Sequence, residues 1–498
     1  MFLLQDHIVQ HAEESAQRAA LVEGDRTLSF ASLDQRSERG ARHLIAAGLA
    51  PGDRAVVLVS HFIDSVVAIW SVLRAGGVLV PVGADSRAAR VERIAADCGA
   101  RTTISPDVLA AAIDGAGAMS AVGGALPQRI DQDLACIIYT SGTSGEPKGV
   151  MLTHRNLANT TAAIASYLGQ TRDDVTCCLL PLAFSYGLFQ VLTSLRVGST
   201  VVLERSFAYP FDVLRRIERH RATILPAVPT IFAKLLGMAP FDGVDVGSLR
   251  ILTNAAAALP PSHAIRLCDT FPLAAIVPMY GQTECTRACF LDPRLTRAHP
   301  DSVGRAIPNS EAYLVDDDGR RLPLGSEGEL VIRGANVMRG YWGREAASAE
   351  KLPHCLPCGS LTPLSTGERA LRTGDRFRTD REGLLHFVAR SDDIFKCRGE
   401  KVAPSAIEHA LCELPEVVEA AVVGVEDASD GTAIRAIIVP REGCELTEQR
   451  VRQHCRASID PVFMPKFIEF RSELPKTESG KLKRRDLHGA SHTGGERA

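Results

Sequence analysis

The feature that most constrains this chain is a repeated alternation of continuous apolar runs with helix-period stretches. From Arg54 it reads RAVVLVS, then a helical pattern through Ile63, Val66, Val67, Trp70 and Leu73, a Gly76-Gly77 stop, and VLVPVG: strand, helix, strand. The alternation returns with ACIIYT at 135–140, a glycine-rich loop, the helix-like NLANTTAAIASYL, then STVVLE, FDVLRRIERH, ATILPAV, LRILTNA, a helix near 261–271 and AAIVPMY. Strands that are apolar along their whole length are buried on both faces. The pattern therefore predicts an α/β body of parallel-type sheets covered by helices.

After about residue 310 the texture changes to AYLVDDDGRRLPLGSEGELVIRG, two alternating runs around an Asp-Gly turn, which predicts a β-rich subdomain of antiparallel hairpins. From Arg390 onward a helix at about 404–414, the strands EAAVVGV and AIRAIIV, and a helix at about 446–457 predict a small α+β domain. At 498 residues the chain exceeds one ordinary core, so it divides into a large multi-subdomain N-terminal body, 1–389, and a small C-terminal domain, 390–498. The terminal HGASHTGGERA has no apolar periodicity and is expected to fray.

Fifty-six Lys and Arg against 59 Asp and Glu leave a net charge of -3, so no global field steers the chain onto nucleic acid or anionic lipid. A small-molecule partner is expected instead. Thirteen cysteines in a chain this long fall far below disulfide-scaffold density, which fits reduced, mostly buried thiols in a cytosol. The opening MFLLQDHIVQHAEES carries a three-residue apolar run followed at once by acidic and His residues, unlike a signal peptide. The most apolar internal stretch, Phe62 to Val82, is interrupted by Asp64, Ser65, Ser71, Arg74 and two glycines, so it reads as buried helix and strand rather than a membrane span. The expected location is the cytoplasm.

The segment Tyr139-Thr140-Ser141-Gly142-Thr143-Ser144-Gly145-Glu146-Pro147-Lys148-Gly149 follows an apolar strand directly and is built to hold phosphates. Glycines let the backbone curl with its N–H groups inward, hydroxyls add donors, and Lys148 adds charge. A P-loop requires Gly-Lys-Ser/Thr, whereas Lys148 lies between Pro147 and Gly149, so kinase-like cradling is disfavoured.

With this loop the sequence resembles the adenylate-forming superfamily of acyl-CoA synthetases, luciferases and nonribosomal adenylation domains. Further blocks agree in order: Tyr280-Gly281-Gln282-Thr283-Glu284, Thr373-Gly374-Asp375, Arg390-Ser391-Asp392-Asp393 with Lys396 to Val402, and Pro475 to Lys481. The resemblance implies ATP-dependent activation of a carboxylic acid to acyl-AMP with release of pyrophosphate. Transfer of the acyl group to the thiol of CoA, or of a carrier protein's phosphopantetheine, would follow. The body would bind ATP and acid, and the C-terminal domain would be a mobile lid turning about a hinge at Asp392.

Each block also makes chemical sense. Tyr280 offers a flat face to a purine, Glu284 is a hard oxygen ligand for Mg²⁺ and Thr283 a phosphate donor. Asp375 on its turn can accept from both ribose hydroxyls, as acidic residues do in dinucleotide sites. By resemblance Thr140, Ser141, Gly142, Thr143, Ser144, Gly145 and Lys148 hold the phosphates. Asn254, Ala255, Ala256, Gly281, Gln282 and Arg390 complete the nucleotide site, and Thr140, Lys148, Glu284 and Lys481 act on the reacting groups. Composition alone would make Lys481 a solvated cation beside Lys483, Arg484 and Arg485, and 254–256 a plain strand end.

For the acyl pocket, Pro181 to Gly187 aligns with the family's entry block. Amino-acid-activating relatives carry an Asp there, and none stands between Phe184 and Gln190, so an α-amino acid is not expected. Phe184, Tyr186, Val228, Met279, Gly281 and Ala288, with Phe189 and Pro229, supply mainly apolar walls, and Thr286 and Arg287 polar contacts. This suits a fatty, aromatic or other hydrophobic acid. A departure lies at 353–372, where HCLPCGSLTPLSTGERAL replaces a short link; Cys355 and Cys358 have only His354 nearby, too few ligands for structural zinc, so a surface insertion is expected. Two other classes stay open: a non-catalytic nucleotide-binding regulator and a phosphotransferase releasing ADP.

Overall fold

The run from Ile63 to Arg74 is apolar on every side, and the protein uses it as an internal helix in which every residue but Asp64 is buried. Its terminal cation is matched inside: Arg74 lies 2.5 Å from Asp34 Oδ1 and donates to Ser37 Oγ at 3.0 Å. Among the described residues no helix is long and apolar enough to cross a membrane. The computed structural model describes residues 3–115, 124–141, 147–205, 207–353, 369–397, 400–427, 431–477 and 482–488.

The strands flanking that helix, Arg54–Val59 and Val78–Gly83, are parallel neighbours, joined on one side by Thr102–Ile104 and on the other by Leu134–Ser141. Here the structure departs from the expected strand, loop, helix order. The glycine-rich loop joins two antiparallel strands, Leu134–Ser141 and Pro147–Thr153, in a register that places Thr140 opposite Lys148. Val150 and Leu152 are buried and Met151 less so, a period of two that the overlapping loop motif hides.

The second sheet begins as the expected parallel block. Ala19–Glu23, Thr200–Leu203, Val175–Cys178, Ile224–Ala227, Ile251–Asn254 and Ala275–Tyr280 lie side by side. At Cys289–Phe290 the pairing turns antiparallel and continues through Ser302–Ala306, Leu385–Arg390, Ala370–Thr379, Glu327–Gly334 and Ser310–Val315. The last two form the hairpin expected from their alternation. The open carboxyl ends of Ile251–Asn254 and Ala275–Tyr280 lie at this changeover, where α/β sheets bind ligands.

A smaller α+β domain follows. Helices Pro404–Leu411 and Glu448–Ser458 accompany the sheet of Val417–Asp427, Gly431–Pro440 and Phe467–Phe470, around a separate core that includes Ile407, Leu411, Val422, Ile434, Ile438 and Val451. It touches the body through Ser262 Oγ, which donates to the Cys412 carbonyl at 3.2 Å, and through Ser405 Oγ, which donates to the Val388 carbonyl. The eleven cysteines among the described residues are free and nine are buried. Burial pushes the Cys178 and Cys285 thiols up to about 12, so they behave as small apolar side chains.

Candidate active site

Three of the sequence blocks converge on one carboxylate. Asp375, 4% exposed, accepts from the Tyr280 hydroxyl at 2.6 Å and from Gln282 Nε2 at 2.8 Å, and its Oδ1 lies 3.4 Å from Arg390 Nε. Tyr280 and Asp375 are 95 residues apart in sequence. The turn that presents the carboxylate requires glycine, because Gly374 has φ +75°. Thr373 Oγ1 holds it by donating to the Leu330 carbonyl at 2.7 Å and accepting from the Asp375 N–H at 3.2 Å. Burial, and then Asp375, raise the Tyr280 phenol well above its usual range, so the phenol stays a donor. Burial works against the Arg390 charge, but Asp375, Asp393 and Asp392 outweigh it and raise its pKa.

A second group forms around Glu284. Its Oε1 accepts from the Tyr341 hydroxyl at 2.8 Å, and the Lys148 ammonium lies 5.4 Å from the centre of the same ring. The short strand Gly340–Tyr341 pairs with Pro147–Thr153, setting Tyr341 opposite Val150, while the Trp342 N–H donates to the Gly149 carbonyl at 2.8 Å. Lys148 and Glu284 thus share the Tyr341 side chain as a neighbour, Thr140 is the strand partner of Lys148, and Thr283 precedes Glu284 with its carbonyl accepting from the Thr286 N–H at 3.3 Å. Tyr341 was not among the sequence candidates. In VMRGYW it reads as an ordinary strand aromatic, and only the pairing brings it between the two blocks.

Asn254 ends its strand opposite Pro278 of the neighbouring one. Its amide donates to the Ala257 carbonyl at 3.0 Å, while its buried Oδ1 has no partner among the described residues. Ala256 beside it takes the left-handed conformation, φ 73°. Gly281 admits no side chain, since a Cβ there would lie 2.6 Å from the Thr286 carbonyl oxygen and 3.0 Å from the Arg287 Cα.

Of the pocket candidates, Tyr186, Val228 and Met279 share one buried cluster with Ala255, and Phe184 caps the helix Ser185–Val197 beside them. Ala288 and Phe189 belong instead to the main body core. Two aromatics join the cluster unannounced by the sequence: Tyr167 donates to Met279 Sδ at 3.0 Å and stacks on Phe290 with ring centres 4.2 Å apart. Arg287, 3% exposed, lies 4.7 Å from the centre of the Tyr186 ring. Asp392 is exposed in the single turn Ser391–Asp393. Gly142, Thr143, Ser144, Gly145, Lys481, the Ser141 side chain and the Cys355/Cys358 pair lie outside the described residues. Among those described, no group of three or more His, Cys, Asp or Glu side chains gathers as a metal site.

The sequence model of the AMP-binding enzyme family matches residues 8–342, and that of the AMP-binding enzyme C-terminal domain matches residues 406–481. The chain belongs to the AMP-binding enzyme family. This AMP-binding enzyme is 31% identical over 492 residues to a feruloyl-CoA synthase of Amycolatopsis sp, covering 95% of this chain and 96% of that one. It is also 29% identical to a long-chain-fatty-acid–CoA ligase of Escherichia coli, covering 97% and 94% of the two chains. Among solved structures it superposes on the anthranilate CoA ligase AuaEII in complex with anthranoyl-AMP with a TM-score of 0.86 at 26% identity, over 98% of this chain and 96% of that one. ATP-bound MatB from Rhodopseudomonas palustris gives 0.85 at 27% identity, covering 97% and 98%.

Proposed function

We propose that this AMP-binding enzyme activates a carboxylic acid with ATP, releasing pyrophosphate, and passes the acyl group from acyl-AMP to the thiol of CoA. The observation that carries the reading is the convergence of Tyr280, Gln282, Asp375 and Arg390 at the carboxyl end of Ala275–Tyr280, which fits a ribose and a base. Asp375 accepts from the ribose hydroxyls, with Arg390 and Gln282 orienting it. The unpartnered Asn254 Oδ1 accepts from the base. The loop after Thr140, with Lys148, holds the phosphates. Glu284 is a fit ligand for a divalent cation that keeps its other contacts to water and substrate phosphates, and Mg²⁺ so bound would supply charge neutralisation. The acid's carboxylate attacks the α-phosphorus in line, and Lys481 stabilises the charge that builds between them. A thiol then attacks the acyl carbonyl and AMP departs. The feruloyl-CoA synthase and the anthranilate CoA ligase are named for aryl acids and the Escherichia coli ligase for a fatty acid, and the aromatic lining of Tyr167, Tyr186 and Phe290 favours an aryl acid here.

The test is product identity across fatty, aryl and branched acids, with and without CoA. AMP and pyrophosphate are expected, with thioester only when CoA is present. ADP, or no turnover with any acid, overturns the reading, and thioester formed only on a carrier protein reassigns the thiol.

The body and lid meet at 389/390, and the exposed turn at Asp392 is the hinge between the two half-reactions. Proline there fixes φ. Asp392→Pro is expected to keep acid-dependent pyrophosphate release and to lose most thioester formation from supplied acyl-AMP; an undiminished second step removes the hinge.

A further inference from the structure

Arg287, 3% exposed, is among the most buried charged residues of those described, and its Nε has no hydrogen-bond partner among them. Arg74, comparably buried, is paired with Asp34 at 2.5 Å. No such carboxylate accompanies Arg287 among the described residues. Its neighbours are aromatic and uncharged: the Tyr186 ring at 4.7 Å, and Tyr167, whose phenol burial pushes up to about 12 while the Arg287 charge, and then a hydrogen bond from the Arg287 side chain, draw it back. A cation over a ring gains about 0.5–2 kcal/mol, less than the several kcal/mol that desolvating an ion demands. A buried cation left so poorly compensated is a binding group held ready for an anion.

Strand alternation decides which side of the site it serves. Successive side chains of Ala275–Tyr280 face opposite ways. Tyr280 reaches Asp375 on the nucleotide side, whereas Met279 accepts from Tyr167 on the other and shares a cluster with Tyr186 and Val228. Arg287 lies over Tyr186 and so belongs with Met279. The Asn336 amide, donating to the Arg287 carbonyl at 2.8 Å, and the close approach at Gly281 fix the backbone that presents it.

We infer that Arg287 selects acids bearing a second acidic group at the end remote from the reacting carboxylate, so that the enzyme's substrate class is the dicarboxylic, preferably aromatic, acid. This rests on the acid-activating reading above. The second carboxylate pairs with the guanidinium, Nε–H included, while the aromatic walls of Tyr167, Tyr186 and Phe290 cover the body of the acid. The first carboxylate is left facing the nucleotide.

The experiment measures pyrophosphate release with matched pairs, each a benzene or straight-chain dicarboxylic acid against its methyl half-ester, for wild type, Arg287→Met and Arg287→Lys. Wild type is expected to favour the diacid by about a hundredfold in kcat/KM, as for loss of a buried charged partner. Arg287→Met reverses the preference, with the KM for ATP unmoved, and Arg287→Lys restores part of it. Removing an uncompensated buried charge leaves the ligand-free Tm equal or higher, which shows that the variant folds. Wild-type preference for the half-esters, or equal loss on both members of each pair in Arg287→Met, overturns the inference. A changed ATP KM alone assigns the cation to phosphate instead, and overturns it as well. If neither member of any pair, nor any monoacid, releases pyrophosphate, it is the acid-activating reading that fails.

Discussion

Lys481→Ala is expected to lower acid-dependent pyrophosphate exchange by about 10² to 10³ while leaving thioester formation from supplied acyl-AMP near the wild-type rate. The magnitude is that of removing one preorganised donor from a site where negative charge grows. During adenylation the attacking carboxylate, the α-phosphate and the departing pyrophosphate crowd negative charge into a small volume. A single ammonium placed there acts on the transition state more than on bound substrate, so kcat falls and the KM values move little. In the second half-reaction a neutral acyl carbonyl is attacked and AMP leaves, and the lysine is not needed. Isotope exchange between pyrophosphate and ATP measures the first step, and a thiol-consumption assay with synthetic acyl-AMP measures the second. Equal loss of both would show that Lys481 acts through folding or through the lid rather than on the phosphate.

Asp375→Asn is the second large effect expected, a rise in the KM for ATP of about 10- to 100-fold, because hydrogen bonds to a charged group are worth about 1.5–3 kcal/mol. The substitution keeps shape and volume in a group only 4% exposed, but removes the charge that accepts from Tyr280 and Gln282 and balances Arg390. Arg390 is 48% exposed at its side chain, so solvent shields the charge left behind and the Tm should fall little. A binding defect with a near-normal melting transition is the expected signature. It is read by ATP titration of pyrophosphate release beside a thermal melt. An unchanged ATP KM would detach Asp375 from the nucleotide, and a collapsed Tm would reduce it to a structural clasp for Tyr280.

Much of this site was legible in the sequence because its parts are local. A glycine needed for a left-handed turn at Gly374, an acid at the residue after it, and a Tyr-Gly pair closing an apolar strand are each fixed by neighbours a few positions away, so they survive as contiguous blocks. The same holds for the alternation of apolar strand and helix, and for the hairpin Ser310–Val315 with Glu327–Gly334, whose turn chemistry lies between its strands. The strand Pro147–Thr153 escaped because its alternation runs out of a loop motif that reads as phosphate-binding through Gly149.

What the chain's own order of residues determined is the family, the two-domain α/β plan and the blocks that bring Tyr280, Gln282, Asp375 and Arg390 together. Only the tertiary structure decided that Tyr341 contacts both Lys148 and Glu284, that Ala288 packs into the main core while Tyr167 and Phe290 pack with Tyr186 and Met279, and that Arg287 is buried against Tyr186 with no carboxylate beside it among the described residues. These facts depend on strand pairings and sheet faces set by segments more than a hundred residues apart. Burial and the want of a counter-charge belong to a side chain's surroundings, which no local spacing encodes.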